Sequence, residues 1–198
     1  LKLYPETNTA CGNELAAYRY ASGIIKVPRV YWYEQGPDGV SRAILEYIEG
    51  TQTLEAYVYE NKCFSREIAY KIGKTLAQLH SREYEHRGRL NCELELCEEL
   101  PSFSLQTEIY LDGTAGERLG EACRDRLLCF ISENGELFTG AAGRSVFSHG
   151  DFIPNNVLVD KNGEVWFIDF ERCVSNPRYI DIGKLFRAGP VGHALEGT

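Results

Sequence analysis

The sequence predicts an α+β fold in two lobes, a β-rich one at the N-terminus and a mainly helical one at the C-terminus. Three observations carry this. Strand-like runs crowd the chain up to Ile48, with one helix among them; the clearest helical periodicity falls after Ser65; and one late hairpin is signalled by two apolar runs flanking Asn162-Gly163. Strands first and helices later is the segregated α+β order, not the alternation of βα units. The division falls in "EYIEG", residues 46 to 50, giving segments 1–49 and 50–198.

The elements follow in chain order. "LKLY" alternates as a strand does. Residues from about Thr9 to Ser22 read as a helix closed by Gly23. "VPRVYWYEQ" and "SRAILEYI" are two strands joined by the turn "GPDG". In "SREIAYKIGKTLAQLHS", Ser65 is a candidate cap, and Ile68, Ile72, Leu76 and Leu79 form one apolar stripe. Residues 83 to 116 show no regular pattern. "ERLGEACRDRLLCFISENG" reads as one amphipathic helix ending before Gly135, and "VLVDKNGEVWFIDF" is the hairpin.

The chain has 198 residues, enough for one substantial core or for two small lobes sharing a cleft. Hydrophobic residues at 43% and charged residues at 25% place it among soluble globular proteins. The formal charge of −8 argues against a nucleic-acid partner, whose footprint is basic, and would tolerate a cationic small molecule. The 7 cysteines form no C-x-x-C pair and have no histidines at zinc spacing, so a reducing, cytoplasmic setting is expected. No apolar run reaches the ~18 residues of a membrane span. Oligomeric state is not legible. The opening "LKLYP" reads as the middle of a strand and the closing "RAGPVGHALEGT" has no core pattern, so the chain is expected to be a fragment at both ends.

The chemistry concentrates in "SHGDFIPNNVLVDKNGEVWFIDFE", residues 148 to 171. Asn156 stands where a loop runs into the first hairpin strand, and Asp169 where the second strand ends. Antiparallel pairing puts those two positions side by side, with Asp151 on the loop before them. A carboxylate and an amide carbonyl are hard oxygen donors suited to Mg²⁺, which takes few protein ligands and completes its shell with phosphate oxygens and water. A further aspartate can accept a hydrogen bond from an attacking hydroxyl. Together these suffice for phosphoryl transfer, where positioning and charge neutralisation supply most of the catalysis. Each residue alone more often serves as a cap or turn; the joint spacing H-G-D-x4-N, strand, Asn-Gly turn, strand, I-D-F is what singles the stretch out.

These residues resemble the catalytic centre of the aminoglycoside phosphotransferase and choline kinase group, small-molecule relatives of the protein kinases. His149-Gly150-Asp151 with Asn156 look like the group's catalytic loop, and Ile168-Asp169-Phe170-Glu171 like its metal-binding motif. The resemblance implies that Asp151 orients the acceptor hydroxyl and takes its proton late, that Asn156 and Asp169 hold Mg²⁺, that His149 supports the loop, and that Asp181, in "YID", braces it. By order and spacing Lys2 would contact the nucleotide phosphates and pair with Glu14. Glu46 would offer its backbone carbonyl, and Ile48 its backbone N–H, to adenine. "LAQLH", ending at His80, also resembles the group, and the likeness covers most of residues 1 to 187.

Departures from the protein kinases matter as well. Ile153 stands where Ser/Thr kinases carry a lysine, Glu171 replaces the glycine of D-F-G, and only 12 positions separate Asp169 from Asp181, too few for a long activation segment. A protein acceptor is therefore the poorer reading. The resemblance implies two strands and a phosphate-covering loop before Lys2, and further helices after Asp181. It implies a kinase with a protein-kinase-like fold that moves the γ-phosphate of ATP to a hydroxyl of an aminoglycoside, choline or ethanolamine, another amino alcohol or a sugar. A nucleotide-binding pseudoenzyme, or an inactive fragment of such a kinase, is the alternative. A two-metal hydrolase fits poorly with 4 histidines, of which His149 alone lies near the aspartates.

Overall fold

The first sheet is built from the alternating runs near the N-terminus. In the computed structural model, which describes residues 1–4, 10–135 and 144–187, β1 (Lys2–Tyr4) and β2 (Val30–Gln35) flank the central β3 (Ser41–Leu45), all antiparallel. Gly36 and Gly39 close the turn between β2 and β3, through Gly36 N–H to Val40 O at 3.0 Å and Gly39 N–H to Gly36 O at 3.0 Å. Helix α1 (Ala10–Ser22) packs against this sheet. Tyr4 and Ala43 of the sheet close on Cys11 and Leu15 of α1 in a small buried cluster. Another face of α1, with Ala17, Tyr18 and Ala21, belongs to the main core together with residues from the later elements. Thr9 and residues 188–198, which include the weak closing stretch, lie outside the described residues.

Every strand of the other two sheets lies beyond residue 50. β4 (Thr51–Thr53) pairs with β9 (Val157–Asp160), which pairs in turn with β10 (Val165–Phe167). Thr53 then caps α2 (Leu54–Asn61), its hydroxyl accepting from Ala56 N–H at 3.2 Å. The expected stripe is realised in α3 (Arg66–Leu79): Ile68, Ile72, Leu76 and Leu79 are buried, and the Ser65 hydroxyl accepts from Ile68 N–H at 3.2 Å. The expected hairpin forms with Val165 opposite Val159 and Phe167 opposite Val157. At its turn Gly163, at φ +70°, sends its N–H to Asp160 O.

The region without a pattern contains more order than its composition suggests. It holds β5 (Glu83–Tyr84), β6 (Gly88–Leu90), β7 (Leu96–Glu99) and helix α4 (Phe103–Leu111). With β8 (Ser145–Ser148) and β11 (Val174–Asn176), its strands form a five-stranded sheet in the order β5-β8-β11-β6-β7. In α4 only Leu111 is buried, so no apolar stripe marks it. The single helix expected from Glu117 and ending before Gly135 is instead two, α5 (Thr114–Leu119) and α6 (Glu121–Glu133), because Gly120 breaks the path at φ +76° and ψ 156°. Helix α7 (Tyr179–Phe186) follows β11. Among the described residues no helix is long and apolar enough to cross a membrane.

Candidate active site

β8 leads directly into the loop His149-Gly150-Asp151. All four of its side chains are buried, and it pairs with β11 with Ser148 opposite Val174. This brings Arg172 against the loop so closely that a Cβ on Gly150 would lie 1.8 Å from the Arg172 carbonyl oxygen. Gly150 also holds φ +77°, so only glycine suits the position.

Asp181, on α7, gathers this loop from behind. Its fully buried carboxylate accepts from the Ser148 hydroxyl at 2.8 Å, His149 N–H at 2.9 Å and Gly150 N–H at 3.1 Å, and pairs with His80 Nε2 at 3.0 Å. Burial alone would raise its carboxyl, but these partners outweigh burial and hold it below its ordinary value. His149 is buried too. Its Nε2 lies 2.9 Å from the Ile168 carbonyl, which can only accept, so that nitrogen carries the proton. Its Nδ1 accepts from Asp151 N–H at 3.4 Å, and its ring packs on Phe170 at 4.5 Å. Burial pushes its basicity well down and keeps it neutral. His149 thus ties the Asp151 backbone to the end of the hairpin.

The two ends of the hairpin lie side by side as its antiparallel pairing requires. Ile168 N–H donates to Asn156 O at 3.1 Å. The Asn156 amide nitrogen donates to the Asp151 carbonyl at 2.8 Å, and among the described residues its Oδ1 has no hydrogen-bond partner. Asp169 adopts φ +66°, a left-handed conformation that aspartate tolerates at a cost and that is common at working sites. Its N–H is held by the Tyr18 hydroxyl at 2.9 Å.

From the other lobe, Lys2 reaches both Glu14 oxygens, at 3.0 and 2.8 Å, and one Asp169 oxygen at 2.6 Å; Glu171 stands 3.5 Å away. Burial works against the Lys2 charge, but its bonds to Asp169 and Glu14 prevail and raise it above its ordinary range. Glu14 is fully buried and also accepts from the Tyr4 hydroxyl. Burial pushes its carboxyl up against the pull of Lys2 and Tyr4. The Glu14, Asp169 and Glu171 carboxylates lie within 4.8 Å of one another, a spacing able to hold a cation, and the Lys2 ammonium sits among them.

One cavity of about 710 Å³ joins these groups. Its lining includes the polar Lys2, Glu14, Asn156 and Asp169, the apolar Pro28, Leu45, Ala56, Leu158 and Ile168, and the segment from Glu46 to Ile48. Its size and mixed lining suit a small ligand. Among the described residues no partner engages the Glu46 carbonyl or the Ile48 N–H, whereas the Glu46 N–H goes to Arg29 O at 2.8 Å and the Ile48 carbonyl accepts from Thr51 at 2.8 Å. Of the sequence-predicted residues, Lys2, Glu14, Glu46, Ile48, Asn156 and Asp169 line this cavity, whereas Asp151, His149 and Asp181 do not. Tyr4, Tyr18, Ser148 and Lys184 were not anticipated. Tyr18 lies one helical turn after Glu14, and Lys184 one turn after Asp181, so i,i+4 and i,i+3 spacing was the available signal.

A small β lobe with its lysine–glutamate pair, set over a larger lobe bearing the loop and the hairpin, defines a protein of kinase-like fold. The model of the phosphotransferase enzyme family (APH) matches residues 1–195, and the chain belongs to that family. Solved structures agree on the fold. The aminoglycoside phosphotransferase APH(3'')-Id of Streptomyces rimosus is 21% identical with a TM-score of 0.56, the match covering 90% of this chain and 64% of that one. The choline kinase LicA of Streptococcus pneumoniae is 18% identical, TM-score 0.56, covering 91% and 57%. A choline/ethanolamine kinase family protein of Mesorhizobium loti is 20% identical, TM-score 0.60, covering 90% and 54%. The chain thus spans less than two thirds of the length of each. The Streptomyces protein has also been solved with ADP and streptomycin, and LicA with AMP. No curated protein matches the chain.

Proposed function

We propose that this chain is an ATP-dependent phosphotransferase acting on a hydroxyl of a small molecule, with lobes 1–49 and 50–198 meeting at the site. The observation that carries the reading is that Asn156 and Asp169 line the same cavity as the Lys2–Glu14 pair. The complexes of the related proteins with ADP and AMP support a nucleotide in that cavity.

In this reading the adenine edge meets the Glu46 carbonyl and the Ile48 N–H, and Lys2, oriented by Glu14, grips phosphate oxygens. The oxygens of Asn156 and Asp169 fit Mg²⁺ by chemistry and by count. The ion supplies charge neutralisation on the phosphate oxygens when bound. Asp151 orients the acceptor hydroxyl and receives its proton. His149 and Asp181 hold the Asp151 backbone in place and take no part in the chemistry. The 7 free cysteines support a reducing, cytoplasmic setting.

The test is thermal melting of the chain with ATP, with and without Mg²⁺, followed by ADP release. Binding to the folded state alone raises stability by about 2.7 kcal/mol at a hundredfold excess over Kd. A Mg²⁺-dependent rise is expected, together with turnover that falls at least ~100-fold in Asp151→Asn while the melting shift stays. Normal turnover in that variant would sink the assignment. A nucleotide shift with no transfer to any acceptor would favour the pseudoenzyme reading.

A further inference from the structure

A second cavity, of about 730 Å³, is lined by Glu171 of the Lys2–Asp169–Glu171 cluster. It touches Gly150, next to Asp151, and Glu171, two residues after Asp169. The two cavities have no lining residue in common; the link between them is Glu171, which lines this one and stands 3.5 Å from the Lys2 ammonium that lines the other.

The charge of this second cavity is unusual for a chain of net charge −8. Its lining includes Arg87, Arg89, Arg172 and Lys184 against Glu98 and Glu171. Two of these cations are neutralised where they stand, Arg89 by Glu98 at 3.1 Å and Arg172 by Glu171 at 3.9 Å. The other two are not. Arg87 is half-buried and spends its donors on neutral oxygens: Asn176 Oδ1 at 2.7 Å, Gln106 Oε1 at 2.9 Å and the Pro101 carbonyl, with its guanidinium 4.2 Å from the Phe103 ring. Lys184, also half-buried, sends its ammonium to the Gly150 carbonyl. Among the described residues neither forms an ion pair. Burial lowers the basicity of both, and for Lys184 the charges of Asp151 and Asp181 oppose that fall. Partly desolvated cations without an ion-pair partner are unfavourable on their own and draw an anion into a low-dielectric cleft.

We infer that this cavity receives the acceptor, and that the acceptor is a hydroxyl-bearing oxyanion, a carboxylate or a phosphate ester, whose negative group sits against Lys184 and the field of Arg87. The inference rests on the phosphotransferase reading and narrows it away from choline-like or aminoglycoside-like cations. In the transfer the acceptor hydroxyl oxygen bonds to the γ-phosphorus as the bond from that phosphorus to the β–γ bridging oxygen breaks. ADP leaves with the electron pair, and the hydroxyl proton passes to Asp151. Lys184, one turn along α7 from Asp181 and bonded to the loop, then positions the acceptor beside Asp151.

The experiment measures ADP release by the full chain with Mg²⁺ and ATP across three arms: glycerate and gluconate, glycerol 3-phosphate, and choline with streptomycin. An anionic arm is expected to exceed the no-acceptor rate about tenfold or more while the cationic arm stays at background, and the responding arm tells carboxylate from phosphate. Lys184→Met is expected to raise the KM for that acceptor about tenfold or more, leave the KM for ATP unchanged, and be rescued by Lys184→Arg. Arg87→Met removes three structural bonds, so its folding is checked by its melting curve and Lys184 carries the decision. Turnover with the cations alone overturns the inference. So does an unchanged acceptor KM in Lys184→Met. So does silence of both anionic arms in a chain that Mg²⁺-ATP still stabilises, an outcome that leaves the nucleotide site standing. Absence of any Mg²⁺-ATP stabilisation would instead remove the underlying phosphotransferase reading, and this inference with it.

Discussion

The Lys2 ammonium lies 2.6 Å from an Asp169 carboxylate oxygen, between residues 167 positions apart in the chain. The group proposed to grip phosphate and the group proposed to hold metal thus neutralise each other across the cleft while Glu14 steadies the lysine from its own lobe. Under the proposed function, Asp169 would hold Mg²⁺ and Lys2 would contact phosphate, so nucleotide loading would compete with this contact.

Asp169→Ala should separate binding from folding. Its ion pair with Lys2 is partly exposed at both ends, so the variant should lose no more than ~1 kcal/mol in urea unfolding. The Mg²⁺-dependent part of the ATP melting shift should vanish. A variant that keeps that part would place the metal ligand elsewhere.

Asp181→Asn should be far more harmful to the fold. The substitution turns an acceptor of four bonds into an amide that faces the Ser148, His149 and Gly150 donors with one oxygen. A loss of about 3 kcal/mol or more is expected, read as a lower urea midpoint. Because Asp181 is held below its ordinary value, its contribution is complete above the unfolded carboxyl pKa, about 3.9, and is lost as pH falls through its folded value. The acid limb of the stability curve should therefore be shallower in the variant, and an unchanged limb would refute the linkage.

His149 predicts a second, milder pH dependence. Its folded pKa lies below the ordinary 6.5, so below that pH the unfolded chain takes up a proton that the folded chain refuses. Stability should be full above about pH 6.5 and decline by up to ~1.4 kcal/mol per unit below it. Urea midpoints at successive pH values would reveal the slope, and His149→Gln should flatten it. A slope that survives in the variant would assign it to another histidine.

Gly150→Ala tests the close approach of the loop to β11. The left-handed φ and the clash with the Arg172 carbonyl both act against a methyl group. A stability loss above ~2 kcal/mol is expected. Near wild-type melting with full turnover would show that the loop has room to shift.

How much of this was legible in the sequence depends on how local each signal is. The residues from His149 to Asp169 were readable because 21 consecutive positions carry their own geometry: a loop, a strand, an Asn-Gly turn and a returning strand place Asn156 beside Asp169 without help from the rest of the chain. The α3 stripe was readable for the same reason, since its four buried residues repeat at helical spacing. Helix α4 was not, because it buries Leu111 alone and so leaves no period. The break at Gly120 was missed because the apolar pattern runs through it and one residue's backbone angles decide it. Lys2 and Glu14 could be paired only through a family resemblance, since the pair depends on β1 lying against α1.

By itself, then, the sequence determined the hairpin, its flanking acid and amide, the principal helix and the order of lobes, all set by interactions among near neighbours. Tertiary structure alone decided that Tyr18 holds the Asp169 backbone, that His80 and Ser148 share Asp181, and that Arg87 and Lys184 face one cavity without an ion-pair partner among the described residues. The physical reason is that hydrogen bonds and desolvation depend on distance in space, and residues 33 to 151 positions apart become neighbours only once the core has closed around them.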